Sequence, residues 1–323
     1  MNQSRLRTAL SLTAIALCLA LALAIPPARA MTNQQAKQLY AQAASGNNPA
    51  ALQSLQAAAN NGDANAQYEL GFLYAQGQGV PRDYAQAVSW WRKAADQGNA
   101  DAQTNLGFLY ANGQGVPQDY AQALSWWRKA ADQGNATAQF NLGFQYATGQ
   151  GVPQDYAQAA SWYQKAADQG NAFAQTNLGI MYVQGQGVQQ DYAQAASWFR
   201  KAADQGNAGG QNGLGNMYEY GQGVPQDYAQ ALSWWRKAAD QGNADGQTSL
   251  GAMYQLGQGV PQDYAVAYAL YNLAAAAGET KAQANRDRIS QQMSEADIES
   301  GQNLTRMMQS LGVTAAINAY ANK

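Results

Sequence analysis

Between Ala64 and Gln76 the apolar residues Ala66, Leu70, Leu73 and Tyr74 recur at the spacing of one helix face, with Gly71 as the only breaker. Gly77-Gln78-Gly79-Val80-Pro81 cannot continue that helix and predicts a bend. Asp83-Tyr84-Ala85-Gln86 then has the spacing of a capping box, in which Asp accepts from a first-turn amide and Gln reaches back. Ala87, Trp90, Trp91 and Ala94 make the apolar stripe of a second helix, Gly98 supplies a left-handed stop, and Asn99 can cap the helix that follows. The pattern then repeats. Leu-Gly stands at Leu70-Gly71, Leu106-Gly107, Leu142-Gly143, Leu178-Gly179, Leu214-Gly215 and Leu250-Gly251, every 36 residues. A period of that length signals a solenoid whose units contact mainly their neighbours. The predicted fold is therefore all-α, a solenoid of helix-turn-helix units over 64–99, 100–135, 136–171, 172–207, 208–243 and 244–279.

Residues 31–63, with Leu39, Tyr40, Leu52 and Leu55, read as a degenerate capping hairpin without Leu-Gly. The last unit drifts, with Val266, Leu270 and Asn272-Leu273 replacing framework residues. Residues 280–310 read as two closing helices, the second capped by Ser294-Glu295-Ala296-Asp297, and 311–323 as a loosely held tail.

Leu70-Gly71-x-x-Tyr74 followed by Ala87-x-x-x-Trp91-x-x-Ala94 resembles the tetratricopeptide signature. The longer G-x-G-V-P-x-D-Y loop and the KAADQGNA turn are similar specifically to the Sel1-like repeat family, over residues 64 to 279. That resemblance implies a right-handed α-solenoid superhelix that acts as a binding scaffold, with the first helix of each unit on the concave side.

Laying the six units over one another separates fixed from free positions. On the first helix, the columns of Ala66, Gln67, Leu70, Gly71 and Tyr74 hardly change and lie on one side of a 3.6-residue helix. The Trp91 column stays aromatic (Trp127, Tyr163, Phe199, Trp235, Tyr271), as a packed seam requires. The columns of Asn65, Tyr68, Phe72, Ala75 and Gln76 vary and form one stripe on the other side. Its members Tyr68, Phe72, Asp101, Thr104, Phe108, Phe140, Phe144, Phe173, Ile180, Asn212, Asn216, Glu219 and Tyr220 are the candidate ligand-binding residues. An aromatic half beside a polar half suits a protein or peptide segment with an apolar anchor and a hydrogen-bonding end.

Composition excludes much else. Beyond residue 30 the chain holds no cysteine and no histidine, so thiol chemistry, disulfides and the commonest metal ligand and proton shuttle are absent. Gly77-x-Gly79 follows a helix rather than a strand and recurs in every unit, which makes it a bend and not a phosphate cradle. The calcium-like Asp96-Gln97-Gly98-Asn99-Ala100-Asp101 meets Gly107 where a bidentate glutamate belongs. Glu69 and Glu219 stand outside the repeated caps, but in different columns and four units apart, so they form no catalytic pair. Ser89 and its copies have no base to activate them. Arg92-Lys93 beside Trp91 imitates an aromatic-basic nucleic-acid surface; Asp96, four residues on, and the negative net charge favour an ion-paired solvated face. The expectation is a monomeric non-enzymatic scaffold with no cofactor, no metal, no nucleic-acid partner and no stable membrane insertion. A second reading is binding of cell-envelope glycan, or weak β-lactam hydrolysis. It comes from cysteine-rich members of the resembled family associated with penicillin-type ligands, whose paired cysteines this chain lacks.

Residues 1–30 follow the order of a secretory signal peptide: Arg5 and Arg7, an apolar run from Leu10 to Ile25, Pro26-Pro27, then Ala28-Arg29-Ala30. Cys18 lies inside that run behind Leu17, which does not fit a lipid-attachment site. Cleavage before Met31 removes three of the 19 basic residues and leaves 16 against 21 acidic ones, a net charge near −5, in the periplasm or outside the cell. N-terminal sequencing of chain recovered from the envelope or medium is expected to begin Met31-Thr32-Asn33; a sequence still starting at Met1 refutes export by this route.

Overall fold

The computed structural model describes residues 30–322, so the signal segment up to residue 29 lies outside the described residues. The chain divides into two compact units, Met1–Asp119 and Tyr120–Lys323. Among the described residues all regular structure is helical.

The first unit holds α1 (Asn33–Ala44), α2 (Pro49–Asn60), α3 (Ala64–Gln76), α4 (Tyr84–Asp96) and α5 (Ala100–Asn112), each packed on the next. The second continues the same alternation with α6 (Tyr120–Asp132), α7 (Ala136–Thr148), α8 (Tyr156–Asp168), α9 (Ala172–Gln184), α10 (Tyr192–Asp204), α11 (Ala208–Tyr220), α12 (Tyr228–Asp240), α13 (Ala244–Leu256) and α14 (Tyr264–Ala276). It closes with α15 (Thr280–Ser290), α16 (Glu295–Leu311) and α17 (Val313–Ala321). We call α3, α5, α7, α9, α11 and α13 the A helices and α4, α6, α8, α10, α12 and α14 the B helices.

Local chemistry sets the ends of these helices. Asp83 Oδ1 accepts from the Gln86 amide at 3.0 Å, but the return bond from the Gln86 side chain is not made, so only half of the predicted capping box forms. The Ser294–Asp297 box is complete. Asn99 caps α5 through the Ala102 amide at 2.8 Å, and Gly98 before it has φ +89°, a backbone that favours glycine. The second glycine of each bend is needed for space. A Cβ on Gly187 would lie 2.1 Å from the Tyr156 carbonyl oxygen, and one on Gly223 2.0 Å from that of Tyr192.

The core runs along the seam between A and B helices. Trp91, Trp127, Tyr163, Phe199, Trp235 and Tyr271 are all buried, and within each unit the Leu-Gly glycine lies under the ring: a Cβ on Gly71, Gly143 or Gly215 would come within 2.5, 2.6 and 2.5 Å of Trp91, Tyr163 and Trp235. The invariant glutamines tie successive helices. Gln175 Nε2 donates to the Ala167 carbonyl at 3.0 Å, and Gln205 Nε2 donates to Gln175 Oε1 at 2.8 Å, so each relay spans three helices. The same relay recurs from Gln67, Gln139 and Gln211. In the last unit Ala277 replaces the second glutamine, and the Gln247 carbonyl oxygen is left without a donor.

Two expectations fail. Arg92 does not pair with Asp96: its guanidinium donates to the Tyr110 hydroxyl, as Arg128 does to Tyr146 (2.8 Å) and Arg236 to Tyr254 (2.9 Å). Lys93 lies instead over the Trp90 ring, 3.9 Å from its centre, and Lys129, Lys165, Lys201 and Lys237 repeat the stack. The basic pair is thus held within the scaffold because tyrosine and tryptophan at fixed repeat positions are nearer than the aspartate. Nor do the residues after Leu311 form a loose tail. Val313, Ala316 and Ile317 are buried, and the Asp240 carboxylate accepts from the Thr314 amide (2.8 Å) and hydroxyl (2.6 Å), capping α17 from another helix.

Gly215→Ala sets two effects against each other. A helix-interior alanine gains roughly 0.5–1 kcal/mol over glycine. Trp235 is fully buried and cannot swing aside, so the added methyl is expected to cost roughly 1–3 kcal/mol and overpacking should win. A urea titration checks this, and an unchanged or raised midpoint would show that the seam tolerates a side chain.

Candidate functional site

In the second unit α9 packs on α11 and α11 on α13, so A helices lie side by side. Their repeated positions Leu178, Leu214 and Leu250 face inward, which turns the variable stripe outward. Phe173 is 65 % exposed and Tyr220 64 %; Phe144 and Ile180 are also exposed. Phe140 is half-buried, its ring 5.8 Å from that of Tyr163 and 6.1 Å from that of Phe173. Asn212, Asn216 and Glu219 are half-buried, Asn216 accepting from the Trp235 indole at 3.2 Å.

In the first unit the stripe is less uniform. Phe108 and Asp101 are exposed, but Thr104 is buried, its hydroxyl donating to the Ala100 carbonyl at 2.8 Å. Phe72 is half-buried among the rings of Tyr40, Tyr68 and Trp91, all at about 6 Å. The α1 hairpin supplies Tyr40, so Phe72 is drawn into packing there. Thr104 and Phe72 therefore belong more to the scaffold than the stripe pattern implies.

Two hollows coincide with the stripe. One of 360 Å³ in the first unit is bordered by Phe72, Phe108, Arg82 and Asn105. A larger one of 460 Å³ in the second crosses α9, α11 and α13, between Ile180, Asn212, Asn216 and Tyr220 on one hand and Thr176, Gly209, Gly213, Met217 and Asp245 on the other. The first four are candidate residues; the remainder are not. Glycines carry no side chain to register as variable chemistry, and Met217 sits in a core column. Leu256, 59 % exposed at the end of α13, is a further apolar side chain on the same stripe.

Burial shapes the electrostatics. It pushes the Tyr68 hydroxyl up to about 12, with the Asp101 and Glu69 charges adding to the shift. It also raises the carboxyls of Glu69 and Glu219, against the nearby Lys37 charge and the Tyr220 hydrogen bond respectively. Among the described residues no three His, Cys, Asp or Glu side chains gather as a metal site requires, and no helix is long and apolar enough to cross a membrane.

Hairpins of this kind, stacked through Leu-Gly seams, define an α-solenoid interaction scaffold. The Sel1 repeat family model matches residues 33–48 and then each of 64–99, 100–135, 136–171, 172–207, 208–243 and 244–279, so the chain belongs to the Sel1 repeat family, which typically mediates protein–protein interaction. The match over 33–48 extends the repeat pattern into the hairpin that lacks Leu-Gly. A Sel1 repeat protein from Oxalobacter formigenes is 32 % identical, with a TM-score of 0.63 over 72 % of this chain and 96 % of that one. A protective antigen of uropathogenic Escherichia coli with an SLR fold is 35 % identical, with a TM-score of 0.57 over 88 % of this chain and 73 % of that one. Among curated proteins none matches the chain.

Glu69 gives a pH dependence with a definite sign. Its folded-state pKa is raised, so the group's contribution is fully present below the unfolded-chain value and is lost as pH rises through the folded one. Glu69→Gln is therefore expected to melt at a higher temperature than the parent at pH 7, with the gap closing below about pH 4. Calorimetry at the two pH values decides, and a destabilised variant at pH 7 would show the carboxylate to be favourable there.

Proposed function

We propose that the chain is an exported, non-enzymatic scaffold that holds a protein or peptide on the face made by its A helices. One observation carries this reading. Among the described residues the large apolar side chains left exposed are Phe108, Phe144, Phe173, Ile180, Tyr220 and Leu256, all on A helices, and Leu311 on α16. The B helices, by contrast, bury their aromatic columns and cover Trp90 and its copies with lysine. Apolar groups gathered on one helix set and withheld from the other mark an interaction surface.

Export rests on the residue order of 1–30, and family membership supports the interaction role. The polar groups on the stripe, Asn212, Asn216 and Glu219, lie beside the apolar ones and can fix the register of a bound main chain.

Crosslinking in the native envelope followed by mass spectrometry supplies the partner. Phe108→Ala combined with Phe144→Ala is then expected to weaken its recovery at least about tenfold, since exposed aromatic anchors dominate such contacts. Both side chains are exposed and neither belongs to the buried core, so the melting temperature should change little. Recovery equal to the parent's would place binding elsewhere.

A further inference from the structure

We propose, building on the A-helix reading, that the hollow across α9, α11 and α13 takes one bulky apolar side chain of an extended peptide followed by a basic residue. The first mark of this is the glycine content of α11: Gly209, Gly210, Gly213 and Gly215 lie within one helix, where glycine costs stability. Packing accounts for three of them. A Cβ on Gly210 would lie 2.5 Å from Ala202 Cβ, on Gly213 2.6 Å from the Phe199 ring, and on Gly215 2.5 Å from Trp235. Gly209 differs. A Cβ there would meet only side-chain atoms, the Thr176 methyl at 3.2 Å and Asn207 Oδ1 at 3.3 Å, which a small shift relieves, and its column holds Asn65, Asp101, Thr137, Phe173 and Asp245 in the other units.

What glycine at 209 does is clear the floor. It borders both the 460 Å³ hollow and an adjoining one of 580 Å³, which share Thr176 and Asn243, so the two form one groove. Ile180, Val183, Met217 and the Phe199 ring give that groove apolar walls. The Asn212 carbonyl oxygen lies in the wall with no donor bonded to it, an acceptor that a peptide amide can satisfy when the side chain rotates outward.

Charge selects the neighbour of the apolar anchor. The A helices of this unit carry two charges, Glu219 and Asp245, both negative, and no lysine or arginine borders either hollow. Every basic residue between Asp83 and Glu279 is on a B helix. Asp245 is exposed at the rim of the groove, where it favours a cationic side chain and repels an acidic one.

Fluorescein-labelled, end-blocked hexapeptides with central Leu-Arg, Leu-Gln, Leu-Glu or Ala-Arg pairs test this by fluorescence polarisation at low salt. Leu-Arg is expected to bind about fivefold tighter than Leu-Gln, the worth of one exposed charge pair, and more tightly still than Leu-Glu or Ala-Arg. Asp245→Asn should equalise Leu-Arg and Leu-Gln. Gly209→Thr installs the residue that Thr137 provides in the same column, and should abolish binding while circular dichroism shows the helix content retained. Binding indifferent to Gly209→Thr, or stronger for Leu-Glu, overturns the inference. If no peptide binds while the crosslinked partner is still lost on Phe108→Ala with Phe144→Ala, this groove assignment fails and the A-helix reading stands.

The structure also assigns Asp63 as the receiver of a new α-ammonium at Met31. The residue that caps the A helix is Asn99, Asn135, Asn171, Asn207 or Asn243 in the other five units, and aspartate only here. Asp63 Oδ1 accepts from the Ala66 amide at 2.8 Å, the bond that each asparagine also makes. Its second oxygen accepts from the Met31 nitrogen, and Asn65 Nδ2 donates to the Met31 carbonyl at 2.8 Å. Asparagine offers one acceptor oxygen; the carboxylate offers two and a charge. Hydrolysis of the Ala30–Met31 bond by a peptidase consumes one water and leaves a carboxylate on Ala30 and an ammonium on Met31. That ammonium keeps the existing contact and turns it into a charge-assisted one.

Competitive labelling of the exported chain's α-amine across pH, read by mass spectrometry, tests the pair. The Met31 amine is expected to titrate above the ordinary α-amino range of about 7.7–8.0, and Asp63→Asn, which keeps the cap to Ala66, should return it to that range. A purely structural cap would leave the amine unmoved by the substitution. An N-terminus other than Met31, or an amine that titrates normally in the parent, overturns the assignment.

Discussion

The hairpins within each unit depend on an aromatic ring of the B helix lying directly on a glycine of its A helix. Where the ring of Trp91, Tyr163, Phe199, Trp235 or Tyr271 sits, the facing Gly71, Gly143, Gly179, Gly215 or Gly251 has no room for even a methyl group. The close approach lets one large side chain fill the seam, and interiors at that density tolerate no extra atom. The glycine is thus retained in a helix interior against its propensity, and the A helix can point its remaining face elsewhere.

The polar framework follows the same economy. Buried glutamines at fixed positions satisfy the carbonyls at the end of the preceding B helix, where four such groups lack helical partners. The C-cap glutamine of the same hairpin then bonds the first glutamine, closing a relay across three helices. Because each relay takes its second glutamine from its own hairpin, the replacement at Ala277 leaves Gln247 with an unmet acceptor, and α14 to α17 cover that end of the array with apolar contacts. Asp240 illustrates the reuse of parts, since a residue that ends a B helix elsewhere here caps α17.

Division of labour between the two helix sets gives the functional reading its physical basis. B helices hold the cations, each lysine on a tryptophan and each arginine on a tyrosine of the next A helix, so the basic groups a polyanion would need are already engaged. A helices hold the exposed aromatic and aliphatic groups with four carboxylates, Glu69, Asp101, Glu219 and Asp245. An apolar face with only negative charge is a statement about the partner, and the glycine-cleared groove of α11 is where it is most specific.

Periodicity made the hairpins legible: α3 spans Ala64–Gln76 as the spacing predicts, Asn99 caps α5, and the Trp91 column is buried, because these depend on local backbone chemistry and on neighbours written at a constant interval. Column variation likewise marked Phe108, Phe144, Phe173 and Tyr220, which are exposed since a position with no packing partner is free to change. What one repeat says about another cannot reveal contacts between unlike elements. Tyr40 drawing Phe72 inward, Asp240 holding α17, and the Met31 nitrogen on Asp63 all join residues more than thirty positions apart that belong to no common column. The groove was hidden for the opposite reason: Gly209 and Gly213 act by the side chains they lack, and empty space exists only once α9, α11 and α13 stand beside one another.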